Sequence, residues 1–188
     1  SETDASVSVD NLSWAKNTIR DYLKFRADEA SIEYAWIRLF YVYGPCQRPE
    51  SLLPAVLSSL RETRSLPNLS NAFAWHDYVH VSDVVEFLRR TIDVTEFKSG
   101  IYNVGSGKLT CVATICNLAL TNFSKLCTSP LKIKPIDVAG PKEGAVACVE
   151  RSSEVFGWRS KILIETGISE IVNQYYDGIS HQKKKTAD

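Results

Sequence analysis

The sequence predicts an α/β protein with parallel crossovers, and three observations carry that expectation. Helical and strand periodicities alternate along almost the whole chain. The strongest strand, residues 32–44, is mostly apolar on both faces, as a strand sandwiched between layers must be. The 188 residues are 44% hydrophobic, 10% aromatic and 23% charged, which fits one domain with a buried core and excludes a disordered tail, a collagen or a coiled coil.

The elements follow in order. Leu12, Ala15, Ile19, Tyr22, Leu23 and Phe25 fall largely on one helical face behind Asp10 and Asn11, so a helix is expected over residues 11–28, with Ile19, Tyr22 and Leu23 facing either the core or an interface, the core preferred. The strand 32–44 is stopped by Gly44-Pro45, and residues 51–63 then read as a helix with Pro54 near its start, where a missing amide hydrogen matters least. Residues 75–81 alternate as a short strand, and Ser82 caps a helix to about residue 92. Residues 101–104 form another strand, and Thr110 caps a helix to about residue 125. Residues 131–138 and 145–150 read as strands, residues 163–176 as a last amphipathic helix, and 181–188 as a polar tail whose Lys183 to Lys185 are solvated.

Twenty-two Lys and Arg balance twenty-two Asp and Glu, so no net field draws the chain to nucleic acid or to anionic lipid. No run spans a bilayer and the polar start has no signal-peptide pattern, so the cytoplasm is the expected compartment. Methionine is absent, even at position 1, which reads as a processed or excised segment or an omitted initiator. Cys46, Cys111, Cys116, Cys127 and Cys148 form an odd set without a C-x-x-C pair, arguing against disulfides and zinc. With only His76, His80 and His181 besides, no metal site is expected.

The pieces RLFYVYGP, SLLP, HDYVHVSDV, GIYNVGSG and a late FGW, in that order, resemble the extended short-chain dehydrogenases/reductases, the NAD-dependent epimerases and dehydratases of nucleotide sugars. The resemblance implies the second part of a Rossmann-like fold plus its small substrate-binding α/β region. Residues 1–45 would then close the Rossmann-like region with the catalytic helix and the following strand, and residues 46–180 would be the substrate-binding region with returning strands and helices. The family's glycine-rich amino-terminal half has no counterpart: Gly105 and Gly107 lack a third glycine in register. NAD or NADP is therefore expected only if a cofactor-binding half is supplied.

In the family a Tyr-x-x-x-Lys pair on one helix face does the acid/base work. The matching stretch here is Leu12-Ser13-Trp14-Ala15-Lys16, so Lys16 is kept as a catalytic and ribose-binding residue while Leu12 replaces the proton-exchanging tyrosine. Ser13 lies about 100° away around the helix, off the lysine face. By resemblance, Phe40, Tyr41 and Tyr43 wall the nicotinamide, and Leu53 and Pro54 touch the nucleotide. His76 stands where an arginine fork clamps the diphosphate, with Lys142 as a less directional substitute further on. Asp77, Asp83 and Asn103 are expected to be structural.

Two functions compete. One is a portion of an NAD(P)-dependent nucleotide-sugar epimerase/dehydratase-like protein, not competent alone and awaiting a cofactor-binding half. The other is a degenerate, non-catalytic scaffold or interaction subunit, whose exposed apolar face and strand edges a partner would cover. A stand-alone module for a nucleotide or sugar phosphate ranks third. Many family members pair through the helix around Lys16, so the resemblance also implies a homodimer.

Overall fold

Two adjoining hydrophobic cores organise the molecule, and the strands between them carry the candidate site. The computed structural model describes residue 2 and residues 10–185, with side chains up to residue 177. Helix α1 (Asn11–Ala30) begins at Asp10, whose carboxylate accepts from the Ser13 amide at 2.7 Å while the Ser13 hydroxyl accepts from the Asp10 amide at 3.1 Å. This reciprocal box satisfies two orphan donors, and the bonds that the Ser13 amide and hydroxyl donate to the Asp10 carboxylate hold that carboxyl below its ordinary range. The helix ends at Ser31 in the left-handed conformation, φ 51°.

The strands β1 (Ala35–Leu39) and β2 (Tyr41–Tyr43) come from the single long strand the sequence predicts, divided at Phe40. The division is a change of partner. Strand β1 pairs in parallel with β4 (Gly100–Val104), the Phe40 amide donates to the Val104 carbonyl at 3.0 Å, and β2 then pairs in parallel with β3 (Trp75–His80). Strand β5 (Leu109–Cys111) runs antiparallel to β3. The helices are α2 (Leu52–Glu62), α3 (Val81–Asp93), α4 (Val112–Leu126), α5 (Glu150–Phe156) and α6 (Ile164–Lys185).

The α/β class with parallel crossovers thus holds, and five local expectations are corrected. Residues 131–138 and 145–149 form no strand, because no neighbouring strand offers them a ladder, and residue 150 opens α5. The cap of α3 is His80 rather than Ser82: its Nδ1 accepts from the Ser82 amide at 3.3 Å. Helix α4 begins after Cys111, with Thr110 in β5, and its first amides donate to Ala74 and Ala72 carbonyls. Residues 181–185 of the expected tail are the last turns of α6, while residues 186–188 lie outside the described residues. Finally, Ile19 and Tyr22 are 59% and 63% exposed and Leu23 is only half-buried, so the apolar face of α1 is not core.

The first core joins α2, α4 and α6 around Val56, Leu57, Leu60, Ile115, Ala119 and Ile168. The second gathers Val79, Phe87, Tyr102, Val104, Phe156 and Trp158 between the strands, α3 and α5. Trp158 is almost fully buried and donates its indole hydrogen to the Asp83 carbonyl at 2.9 Å, so its polar atom is satisfied as well as its ring packed. Among the described residues no helix is long and apolar enough to cross a membrane.

Candidate functional site

Alternation along two paired strands builds the site. Side chains two apart share a face of a strand, so Tyr41 and Tyr43 on β2 stand beside His76, Tyr78 and His80 on β3, with Tyr41 opposite Tyr78 and Tyr43 opposite His80. The result is a ladder of five aromatic rings. Tyr41 and His76 stack at 3.9 Å with 22° between planes, and Tyr43 meets His80 edge to face at 5.1 Å. Tyr78 touches Tyr41, Tyr43 and His76 at 5.6 to 6.4 Å.

One end of the ladder is sealed and the other is open. At the sealed end Tyr43 and His80 are buried against α6, where a Cβ on Gly167 would sit 2.4 Å from the Tyr43 oxygen, so a side chain at 167 could not fit. Among the described residues, Tyr43 Oη and His80 Nε2 have no hydrogen-bond partner there. Because His80 Nδ1 accepts from Ser82, the imidazole hydrogen belongs on Nε2. Burial pushes the phenols of Tyr43 and Tyr78 well above their ordinary value, so neither supplies a phenolate at neutral pH.

At the open end, a cavity of about 550 Å³ lies between the ladder, the loop after β2 and the start of α2. Tyr41, Tyr43, Leu53 and His76 all line it, so four of the residues expected from the sequence converge. Burial keeps the His76 imidazole below its ordinary value of 6.5, hence neutral at pH 7, which suits stacking on Tyr41 rather than clamping an anion. Tyr78, Gln47, Arg48 and Asn71 also line the cavity and were not singled out by the sequence reading. Period-two spacing of aromatics across residues 41–43 and 76–80 was the signal that could have found Tyr78.

The other expected residues lie elsewhere. Pro54 is in the first turn of α2 but does not line the cavity, and Phe40 packs on the second core. Lys16 is exposed on α1, and Leu12, at the position of the family's tyrosine, is 64% exposed. Lys142 sits over the Trp75 ring at 5.6 Å and lines a second, larger cavity of about 820 Å³ that shares only Tyr78 with the first.

Two buried carboxylates hold the loops around these cavities. Asp77 accepts from the amides of Ser106, Gly107 and Ala147 at 2.7 to 2.9 Å and from the Ser106 hydroxyl at 2.7 Å. Asp83 accepts from the Ser160 hydroxyl and the Lys161 and Ile162 amides at 2.8 to 3.0 Å. Asn103 likewise spends its amide on the Cys148 carbonyl. All three are structural, as expected. In the glycine-bearing loop 105–107 the Ser106 and Gly107 amides are committed to Asp77 and are not available to a dinucleotide pyrophosphate.

The fold and site define an α/β protein with a cavity beside its paired parallel strands β2 and β3. A sequence model of the NAD dependent epimerase/dehydratase family matches residues 12–105. The chain belongs to that family. It is 22% identical over 182 residues to a dTDP-4-dehydro-6-deoxyglucose reductase of Escherichia coli, covering 92% of this chain and 54% of that protein. It is 30% identical over 139 residues to a dTDP-glucose 4,6-dehydratase of Salmonella typhimurium, covering 71% of this chain and 38% of that one. Among solved structures it resembles dTDP-glucose 4,6-dehydratase from Bacillus anthracis in complex with NAD, with TM-score 0.76, 20% identity, and 94% and 55% of the two chains covered. A UDP-glucose 4-epimerase from Thermotoga maritima with UDP-glucose gives TM-score 0.70 and 24% identity, with 89% and 53% covered. The chain therefore spans about half the length of relatives it matches, and these likenesses establish a Rossmann-like extended short-chain dehydrogenase/reductase fold.

Proposed function

We propose that this chain is the substrate-binding portion of an NAD(P)-dependent nucleotide-sugar epimerase/dehydratase-like protein and is not catalytically competent alone. The observation that carries the reading is the open end of the aromatic ladder: the stacked Tyr41 and His76 rings flank a cavity also lined by Leu53, Gln47 and Asn71. Rings offer a flat surface for a nucleobase or a sugar face, and the amides of Gln47 and Asn71 can bond its polar edges.

The chemistry stops short of turnover because Leu12 cannot exchange a proton, and Lys16 alone retains from that pair only a charge able to orient a ribose. The described residues do not fit NAD by themselves, since the Ser106 and Gly107 amides of the loop 105–107 are spent on Asp77 rather than free for its pyrophosphate. A cofactor-binding half supplied in another polypeptide would meet this need. Titration of the chain with UDP-glucose and dTDP-glucose, followed by calorimetry, tests the reading. Saturable binding is expected, weakened about tenfold by Tyr41→Ala, the worth of one lost stacking contact.

A second reading, a non-catalytic scaffold or interaction subunit, is favoured by α1, where Leu12, Trp14, Ile19, Tyr22 and Phe25 are all more than half exposed. A cofactor-binding half, another assembly partner or a second copy of the chain could cover that face. Absence of any nucleotide-sugar binding by the folded protein would overturn the first reading and leave this one.

A further inference from the structure

We infer that His80 is an acid-triggered latch: its neutral ring holds the first turn of α3 and the start of α6 in place, and gaining a proton releases both. The ring is almost fully buried, and its two nitrogens have different tasks. Nδ1 accepts from the Ser82 amide at 3.3 Å and so caps α3. Nε2 carries the hydrogen and has no partner among the described residues. A Cβ on Gly167 would stand 3.0 Å from His80 Cδ2, the carbon bonded to Nε2, so the backbone of α6 closes over that edge of the ring. Tyr43 packs against it edge to face, with centroids 5.1 Å apart.

A neutral imidazole fits this seat and an imidazolium does not. With a hydrogen on each nitrogen, Nδ1–H points at the Ser82 N–H, donor against donor, and the cap is lost. The Nε2–H stays buried and unbonded, which a cation tolerates far less well than a neutral group. The titratable and charged groups around the Tyr43–His80 pair are Tyr78 on β3, Asp83 on α3, and Glu165 and Glu170 on α6. Among the described residues none of these carboxylates bonds either imidazole nitrogen. Asp83 gives one oxygen to the Ser160 hydroxyl and the Lys161 and Ile162 amides, in the turn that enters α6. The three acids therefore favour a cation nearby without seating it, and the protonated ring is stable only once it has swung away from Ser82 and Gly167. Tyr43 also lines the aromatic cavity, so the release reaches one wall of that cavity.

The latch needs no ligand and is independent of the nucleotide-sugar reading. Nitrogen NMR of the imidazoles at neutral pH is expected to show His80 with its hydrogen on Nε2, and the opposite tautomer overturns the inference. Amide hydrogen exchange, corrected for intrinsic rates, is then compared at about pH 7.5 and about pH 5.5. Protection over residues 81–87 and 164–170 is expected to fall together by about tenfold at the lower pH, while that of residues 113–120 in α4 holds. His80→Asn keeps a capping side chain that does not titrate and is expected to abolish the fall, whereas His76→Asn retains it. Unchanged protection at the lower pH, a fall shared equally by α4, a fall that persists in folded His80→Asn, or one that His76→Asn abolishes overturns the inference. Where His80→Asn does not fold, the tautomer and the joint loss at residues 81–87 and 164–170 in the unaltered chain decide.

Discussion

Helices α1 and α4 announce themselves by the same kind of amphipathic pattern, yet one lies outside the molecule and the other through its middle. Seven residues of α4, from Val112 to Phe123, are buried against α2 and α6, whereas α1 buries only Ala27. Their starts differ accordingly. Helix α1 is capped by its own Asp10 and Ser13, while α4 has no side-chain cap and hands its first amides to carbonyls of residues 72 and 74. One helix is specified locally and the other by the fold around it, and periodicity alone does not distinguish the two.

The largest effect that tests this contrast is packing. Phe123→Ala in α4 should cost about 3–5 kcal/mol in chemical denaturation, and Tyr22→Ala in α1 should stay within about 0.5 kcal/mol. Equal losses would place α1 in the core after all.

Next comes the thiol of Cys116, which burial pushes up to about 11. The neutral form is favoured in the folded state, so the stability it carries is intact below the ordinary value of 9.0 and is lost as pH rises from there toward 11. At pH 8 a thiol reagent should label the exposed Cys46 promptly, and label Cys116 only on unfolding, as intact-mass measurements over time would record.

The smallest effect concerns the caps. Asp10→Ala should fray the first turn of α1, seen as faster amide exchange there, with the exchange of α4 unchanged. A peptide of residues 10–31 should keep more helicity than one of residues 111–127, because only the first carries its cap within itself.

The same division decides what could be read from the sequence. The strand run of residues 32–44 and the helices α2 and α6 were legible, since period and turn residues act over short range, whereas Tyr41, Tyr43, Leu53 and His76 were named only through the family resemblance and their meeting in one cavity was not foreseen. The break at Phe40 was not legible either, because it depends on which strand, β4 or β3, lies alongside. Residues 131–138 alternate like a strand and remain irregular, since alternation without a neighbour gives no ladder. The short β5 and α5 carry too few residues for a period to emerge. Lys142 was found as a cation, but the loops around the cavity it lines depend on the carboxylates of Asp77 and Asp83, whose reach across the chain no local pattern encodes.

That reach has a consequence for how the molecule assembles. The amide partners of Asp77 lie 29, 30 and 70 residues further along the chain, so its bonds close only after β3, the 105–107 loop and the approach to α5 have been brought together. Long closures are entropically expensive before their contacts reward them. Asp77 is therefore expected to act as a late clasp: Asp77→Asn should speed unfolding in stopped-flow measurements more than it slows refolding.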